Sequence, residues 1–470
     1  MKGARLSHRP RGTALAAALA AALAASPGAS AGEPDLARDP DGEAAPISDD
    51  AFADLDLGKL LQMDEVTVAS VKGTSLREAP GIITVITRDE IVSSGARDLI
   101  DVLEAVPGFF VAVDVQGVTD VGMRGNWGHE GKILLLIDGL EMNELGYGTL
   151  ALGHHVPVDA IERIEIIRGP GSAIYGGFAE LAVIKVTTRG AEQMEGVETV
   201  QRLGLAASGA AGRSGSAFQT SLGDVYVAGG RSYGDFELSA SAFVGRSVRS
   251  DGTYTDIYGT PVSMPASSEQ RPLMLNVGAA WKDWRLRLVA DDYTYRAQDN
   301  FDVAGASPAH YRFGGLYGDV TTSFRAGHHV LLLPRFAYKV QESYFSLPDS
   351  AQQRAQLLAD AVYDQRRYDR AVASLAMQWD ITPHLNTILG WETLYDVGRV
   401  LDHSPDAQQA LYFNTPDLSR VDSLSFTTLA TFGQAQWNTR IANLTFGARV
   451  ERHSYFGTSA VPRLALTRLL

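Results

Sequence analysis

The 470-residue chain has no cysteine. Disulfides, thiolate metal sites and cysteine nucleophiles are therefore excluded. Beyond its N-terminus it also lacks any apolar run near the ~20 residues that a membrane-spanning helix needs. Charge is sparse, at 20% of residues, with a mean hydropathy of -0.05. Any contact with lipid must then be made by strands. Cations are the scarcer sign, 41 against 55 acids, for a formal charge of -14. An acidic chain lacks the clustered Lys and Arg that neutralise phosphates, which excludes nucleic acid as a partner.

Four of the cations, Lys2, Arg5, Arg9 and Arg11, precede an Ala/Leu stretch, Ala14–Ala25, and a small-x-small site, Ala29-Ser30-Ala31. Residues 1–31 read as a signal peptide, and their removal takes the formal charge from -14 to -18. Residues 32–63 are rich in Pro, Asp, Glu and Ala and read as a flexible linker. Residues 64–190 regain apolar patterning. Gly81–Thr87, Lys132–Met142, Arg163–Ile167 and Ala182–Arg189 are strand-like, and Asp89–Ser94 and Arg97–Val106 are helix-like, the second stopped by Pro107-Gly108. This is one α+β unit.

From residue 195 to residue 470 the pattern becomes antiparallel β. Phe236, Leu238, Ala240, Ala242 and Val244 share a face, opposite Glu237, Ser239 and Ser241. Leu444, Phe446, Ala448 and Val450 repeat the arrangement opposite Thr445, Arg449 and Glu451. One apolar face at period two means a sheet half in contact with an apolar medium. Short turns (282–283, 325–328, 382–384, 439–442) alternate with long polar loops (249–269, 297–310, 345–364, 401–422). That asymmetry suits an outer-membrane barrel, whose periplasmic turns are brief and whose outer loops are long. Trp281, Trp284, Tyr293, Trp379, Trp391 and Trp437 sit near strand ends, as an interfacial girdle requires. A soluble β-sandwich is the competing architecture.

The blocks Glu65–Ser70, Ala79–Ile91, Ala96–Val111, Met123–Gly125, Leu134–Leu140 and Ile161–Gly176 occur in an order that resembles the TonB-dependent outer-membrane receptors, importers of siderophores and cobalamin. The resemblance departs at Glu180, Ala182 and Lys185 in FAELAVIKVTTR, where Asn is common in place of Lys185. It implies an α+β plug domain followed by transmembrane β-barrel strands, in the outer membrane of a Gram-negative bacterium. Implied partners are the TonB energy transducer, the barrel assembly machinery, the lipid bilayer and an extracellular siderophore or corrinoid. Glu65, Val66, Thr67, Val68, Ala69 and Ser70 would form the TonB-coupling segment. Arg124, Glu162, Arg163, Glu165 and Arg168 would form a salt-bridge lock, with ordinary solvated charge as the plainer reading. Gly169, Pro170, Gly171, Ser172, Tyr175 and Gly176 would form the plug turn. His129, Tyr147, His154 and His155 would lie in apical loops facing ligand, or be surface residues of no special role.

Enzyme motifs fail on inspection. Gly28–Gly32 spells G-x-S-x-G inside the signal region, Gly169-Pro170-Gly171 lacks the later glycine of a dinucleotide turn, and His129-Glu130 lacks a second His. No catalytic residue, metal site or cofactor is expected.

The hairpins after residue 195 make about 12 strands, against about 22 in barrels of this kind. Twelve strands close at a radius of roughly 12 Å. A plug of this length has a radius of gyration near ~14 Å. The β region is thus expected to be the N-terminal half of a barrel. Three functions follow from these expectations: a plug-gated importer, a truncated or split fragment that does not transport by itself, and a passive adhesin or phage-attachment barrel.

Overall fold

The computed structural model describes residues 65–66, 74–75, 81–114, 116–169, 171, 174–206, 219–250, 252–255, 259–298, 308–351, 354–355, 364–403, 423–439 and 441–468. The expected signal peptide, the linker at 32–63, Thr67–Ser70, Pro170 and Ser172 lie outside the described residues. Glu65 and Val66 form β1 (Glu65–Val66), paired antiparallel with β2 (Thr74–Ser75).

The plug starts with β3 (Ile83–Thr87) and α1 (Arg88–Ser94). Thr87 caps α1 in a capping box with Glu90, and Gly95 ends it at φ 70. Both devices satisfy backbone groups that a helix end leaves open. In α2 (Leu99–Glu104), the N-cap Asp98 accepts from the Asp101 amide. Then come β4 (Phe109–Val113), β5 (Thr119–Met123), β6 (Asn126–Trp127), β7 (Ile133–Ile137), β8 (Leu140–Glu141), β9 (Ile161–Arg168) and β10 (Ala182–Thr188). The main plug sheet has the order β3-β9-β10-β7-β8, and β10 runs parallel to β7. At its centre Ala182, Val183, Ile184 and Val186 are fully buried. A strand covered on both faces must be apolar at successive positions, which is why AVI is unbroken here.

The wall comprises β11 (Gly196–Ala206), β12 (Gln219–Tyr233), β13 (Phe236–Val248), β16 (Glu269–Trp281), β17 (Trp284–Ala297) and β18 (Ala309–Thr321). It continues through β20 (Val330–Ser346), β21 (Asp364–Thr382), β22 (Leu385–His403), β23 (Ser423–Asn438), β24 (Asn443–His453) and β25 (Gly457–Thr467). A small hairpin, β14 (Thr253–Thr255) and β15 (Pro261–Ser263), stands apart, and β19 (Phe324–Ala326) pairs with β20. Every wall pairing is antiparallel, and the 13-stranded sheet is open: among the described residues β11 and β25 do not pair with each other.

Alternation assigns the two faces. Along β17, Trp284, Leu286 and Leu288 are exposed, while Val289, Asp291, Tyr293 and Tyr295 are buried against the plug. Along β24, Phe446 and Val450 face out, and Thr445 and Arg449 face in. The apolar face is thus the outer one, as a lipid-facing wall requires. Trp281, Trp284, Trp379, Trp391 and Trp437 are exposed on it. Tyr293 corrects the girdle expectation: its position in the alternation turns it inward, where it is 1% exposed.

Ile184 fills the centre of the plug core, so Ile184→Ala should destabilise the plug by about 2–5 kcal/mol through lost burial and a cavity. Urea titration read by protease resistance of the plug measures this. A midpoint equal to wild type would mean that β10 is not the plug's centre.

Candidate functional site

The plug meets the wall through charged groups and through an apolar cluster that joins its core to Tyr226, Phe243, Met274, Val289 and Tyr317. Glu141, on β8, receives Lys339 Nζ of β20 at 2.7 Å and Arg370 Nη1 of β21 at 2.9 Å. Arg370 also donates to Asp396 on β22 at 2.6 Å, and its guanidinium lies 5.9 Å from the centre of the Phe178 ring. Lys339 reaches the Asn143 carbonyl at 3.0 Å. Burial raises the Glu141 carboxyl, but Lys339 and Arg370 outweigh it and hold the group below the ordinary carboxylate range.

A second attachment is Asp138, in the β7–β8 turn at φ 49. It accepts from the Thr188 amide at 2.8 Å and hydroxyl at 2.6 Å and pairs with Arg287 at 3.3 Å. A third is Asp159, which pairs with Arg202 of β11, itself 3.4 Å from Asp224 of β12.

His154 and His155 hold the plug from one loop. His155 Nε2 lies 2.6 Å from Asp291 and Nδ1 lies 2.7 Å from the Ala151 carbonyl. Its ring stacks on Tyr293 at 4.4 Å. Burial alone would lower the His155 pKa; the Asp291 carboxylate reverses this and raises it. His154 Nε2 lies 3.4 Å from Asp224, yet neither facing atom has a hydrogen-bond partner. Burial, with Arg202, Arg97 and His155 nearby, pushes the His154 pKa down to about 4 and keeps the ring neutral. The expectation that both histidines face ligand is corrected. They are 5% and 7% exposed and point into the wall, because its inward face presents Asp224 and Asp291 to them.

His129 and Tyr147 stand differently. Their rings stack at 6.1 Å, and Tyr147 is 40% exposed. Tyr147 meets Tyr344 edge-on at 5.5 Å and accepts from Arg366 at 3.2 Å. Thr149 Oγ1 lies 3.1 Å from His129 Nδ1 and 3.0 Å from Tyr344 Oη. Tyr344 and Arg366 flank the long connection from Ser346 to Asp364, so this pair lies at the long-loop end.

Among the described residues, four of the five expected lock charges are held by separate contacts. Arg163 and Glu165 pair at 3.2 Å within β9. Arg124 and Arg168 bind backbone carbonyls instead, those of Arg168 at 3.5 Å and Pro107 at 3.2 Å. No ion pair is described for Glu162. The reason is position: Arg124 sits in the tight turn after β5 at φ 51 and Arg168 ends β9, so both stitch plug segments together and neither reaches the described wall. In the plug turn the Gly169 amide donates to Leu181 and the Gly171 amide to Ala179. A Cβ on Gly171 would lie 2.7 Å from the Ala179 Cβ, so only glycine fits. Tyr175 and Gly176 line a cavity of about 480 Å³ between plug and wall.

The attachments at Asp138, Glu141 and Asp159 escaped sequence reasoning. A signal did exist: Arg202, Arg287, Lys339 and Arg370 all lie in alternating wall strands, and a charge on an inward face needs a partner.

An antiparallel wall joined to an α+β plug by ion pairs and apolar contacts is the plug-and-barrel-strand architecture. Residues 75–183 match the TonB-dependent Receptor Plug Domain. The chain therefore carries a segment similar to the plug domain of TonB-dependent receptors. It is 36% identical over 131 residues to the vitamin B12 transporter BtuB of Vibrio vulnificus, covering 26% of this chain and 20% of that protein. It is 30% identical over 149 residues to the ferric enterobactin receptor of Pseudomonas aeruginosa, covering 28% and 19%. A crystal structure of the P. aeruginosa ferric enterobactin receptor PfeA shares the fold with a TM-score of 0.61 at 16% identity, over 83% of this chain and 59% of that one. The copper transporter OprC matches with a TM-score of 0.53 at 16% identity, over 81% and 59%. The matched region thus spans about a fifth of the curated relatives' length.

Two outcomes test the attachments. Glu141→Gln leaves Lys339 and Arg370 without their shared carboxylate and should cost about 3–5 kcal/mol; limited proteolysis in urea should show the plug released at lower denaturant, and an unchanged midpoint would remove Glu141 from the interface. For His154, a folded pKa of about 4 lies below the ordinary 6.5, so the folded state binds fewer protons than the unfolded one. The stability it confers is full above pH 6.5 and lost as pH falls through 4. His154→Gln should abolish about 3 kcal/mol of the acid-side loss. Melting temperatures of both proteins between pH 7 and pH 4 read the difference, and parallel curves would show that His154 titrates normally.

Proposed function

We propose that this chain belongs to an outer-membrane receptor, exported by a signal peptide, that takes up a bulky scarce nutrient, a ferric siderophore or a corrinoid. The plug is the gate, and TonB supplies the energy through Glu65–Ser70. The observation that carries the reading is the ion-paired seam between plug and wall. Glu141, Asp138 and Asp159 each meet a wall cation across it. Each of these charges regains hydration when water enters, which lowers the cost of parting them; the apolar contacts that join Val118 and Ala151 to the wall aromatics must part as well.

The pair His129–Tyr147 is the ligand-facing part of the plug, since it combines exposure with the long-loop end. Val66 lies in a two-residue strand whose edge a periplasmic partner could extend by strand addition. The relatives are named as transporters and receptors, which favours transport over catalysis.

A second reading follows from the open sheet. Unpaired strand edges are not tolerated in the hydrocarbon of a bilayer. The wall therefore needs further strands against β11 and β25, in cis or from another chain, before it encloses a passage, and the described sheet does not transport by itself. The passive attachment barrel predicts no dependence on the proton gradient.

Substituting Val66 or Val68 by Pro in the receptor in its own outer membrane should abolish energised uptake and leave surface binding of ligand intact. Uptake at the wild-type rate would end the coupling role of this segment.

A further inference from the structure

The plug–wall cavity, at about 480 Å³, is large enough for a small chelate or for one arm of a bigger ligand. Leu134, Leu136 and Phe178 give it an apolar plug side, and Val372, Ile388 and Phe432 an apolar wall side. Its charges are the informative part. Arg335 is paired with Asp319. Lys339 shares Glu141 with Arg370, which also holds Asp396. Arg449 holds both Glu392, at 2.9 Å, and Glu451, at 3.0 Å. Lys185 lies across from Glu165 in the β9–β10 register, and Glu165 also pairs with Arg163. The lining itself holds five cations and three carboxylates; Asp319 and Asp396, which pair with Arg335 and Arg370 from outside it, and the Arg163–Glu165 pair bring the count to six and six, so the cations that face the cavity are already matched.

One donor is left over. Arg449 is 5% exposed, lines the cavity, and its Nη1 is buried without a hydrogen-bond partner. Two glutamates already flank this guanidinium, so an incoming anion would meet a local excess of negative charge. A carbonyl or other neutral oxygen would satisfy Nη1 without that repulsion. Gly176 backs the site: a Cβ there would come 3.3 Å from Arg449 Nη2.

We propose that this cavity is an internal holding site for an uncharged, oxygen-bearing ligand body, with Arg449 Nη1 as its donor. The proposal rests on the receptor reading and narrows its ligand class to neutral chelates or rings carrying carbonyl or amide oxygens.

The absence of cysteine allows a clean test. In the purified full chain, Ser374→Cys places one thiol in the cavity wall, and Thr458→Cys places a control thiol on exposed β25. Methyl methanethiosulfonate should label the cavity thiol within about tenfold of the control rate, while the sulfonatoethyl and trimethylammonium-ethyl reagents should each be slowed by more than about tenfold relative to the control. Neutral tris(acetohydroxamato)iron(III) should protect the cavity thiol but not the control, and trianionic tris(catecholato)ferrate(III) should protect neither. Adding Arg449→Lys keeps the charge and removes Nη1; it should raise the half-protecting concentration by about tenfold or more, and unchanged methyl labelling in that variant reports an intact cavity. Preferential labelling by either charged reagent, protection by the trianion, protection indifferent to Arg449→Lys, or no labelling at all would each overturn the proposal. None of these readouts involves TonB or uptake, so they can fail while the receptor reading stands, and the reverse.

Discussion

Glu141 is the carboxylate on which two wall strands converge, with a third joined through Arg370. Lys339 and Arg370 bind it directly, and Arg370 carries the connection on to Asp396. Buried ion pairs add little net stability compared with a well-packed apolar contact of the same volume, because desolvation offsets much of their attraction. Their value lies in the asymmetry between states. A broken pair left dry is costly, whereas a broken pair that water reaches is not.

The apolar interactions are arranged to complement this. They lie mainly inside the plug, where β10 is covered on both faces and Ile161, Ile164, Ile166 and Ile184 are fully buried. On the wall the exposed large apolar side chains face outward, and the inward face mixes charged groups with apolar ones, among them Tyr226, Phe243, Met274, Val289, Tyr317, Val372 and Ile388. The plug core is thus continuous with wall side chains, and the seam is held by apolar contacts as well as by ion pairs. The histidine loop follows the same rule, with His155 fixed to Asp291 and His154 kept neutral beside Asp224.

Much of this was legible in the residues. The alternation at 236–244 and 444–451 places the apolar face of the wall correctly, since a strand's side chains leave no other choice. The strands at 133–137, 161–168 and 182–188 and the two helices lie within a few residues of expectation, because each is bounded by a cap or glycine turn. The site was less legible. Arg124 and Arg168 carry the right charge for a lock, yet chain position aims them at plug carbonyls. His154 and His155 look like loop histidines until the wall encloses them. Tyr293 resembles a girdle aromatic, and a single residue of phase sends it inward.

The sequence by itself determined the two-part organisation, the strand phase and the need for partners on the inward charges, because periodicity and burial are local properties. Only the tertiary structure decided which carboxylate meets which cation. Glu141 and Arg370 are 229 residues apart along the chain and 2.9 Å apart in space. No local pattern encodes such a pairing. It arises from the register of the wall and the seating of the plug, which exist only once both have folded against each other.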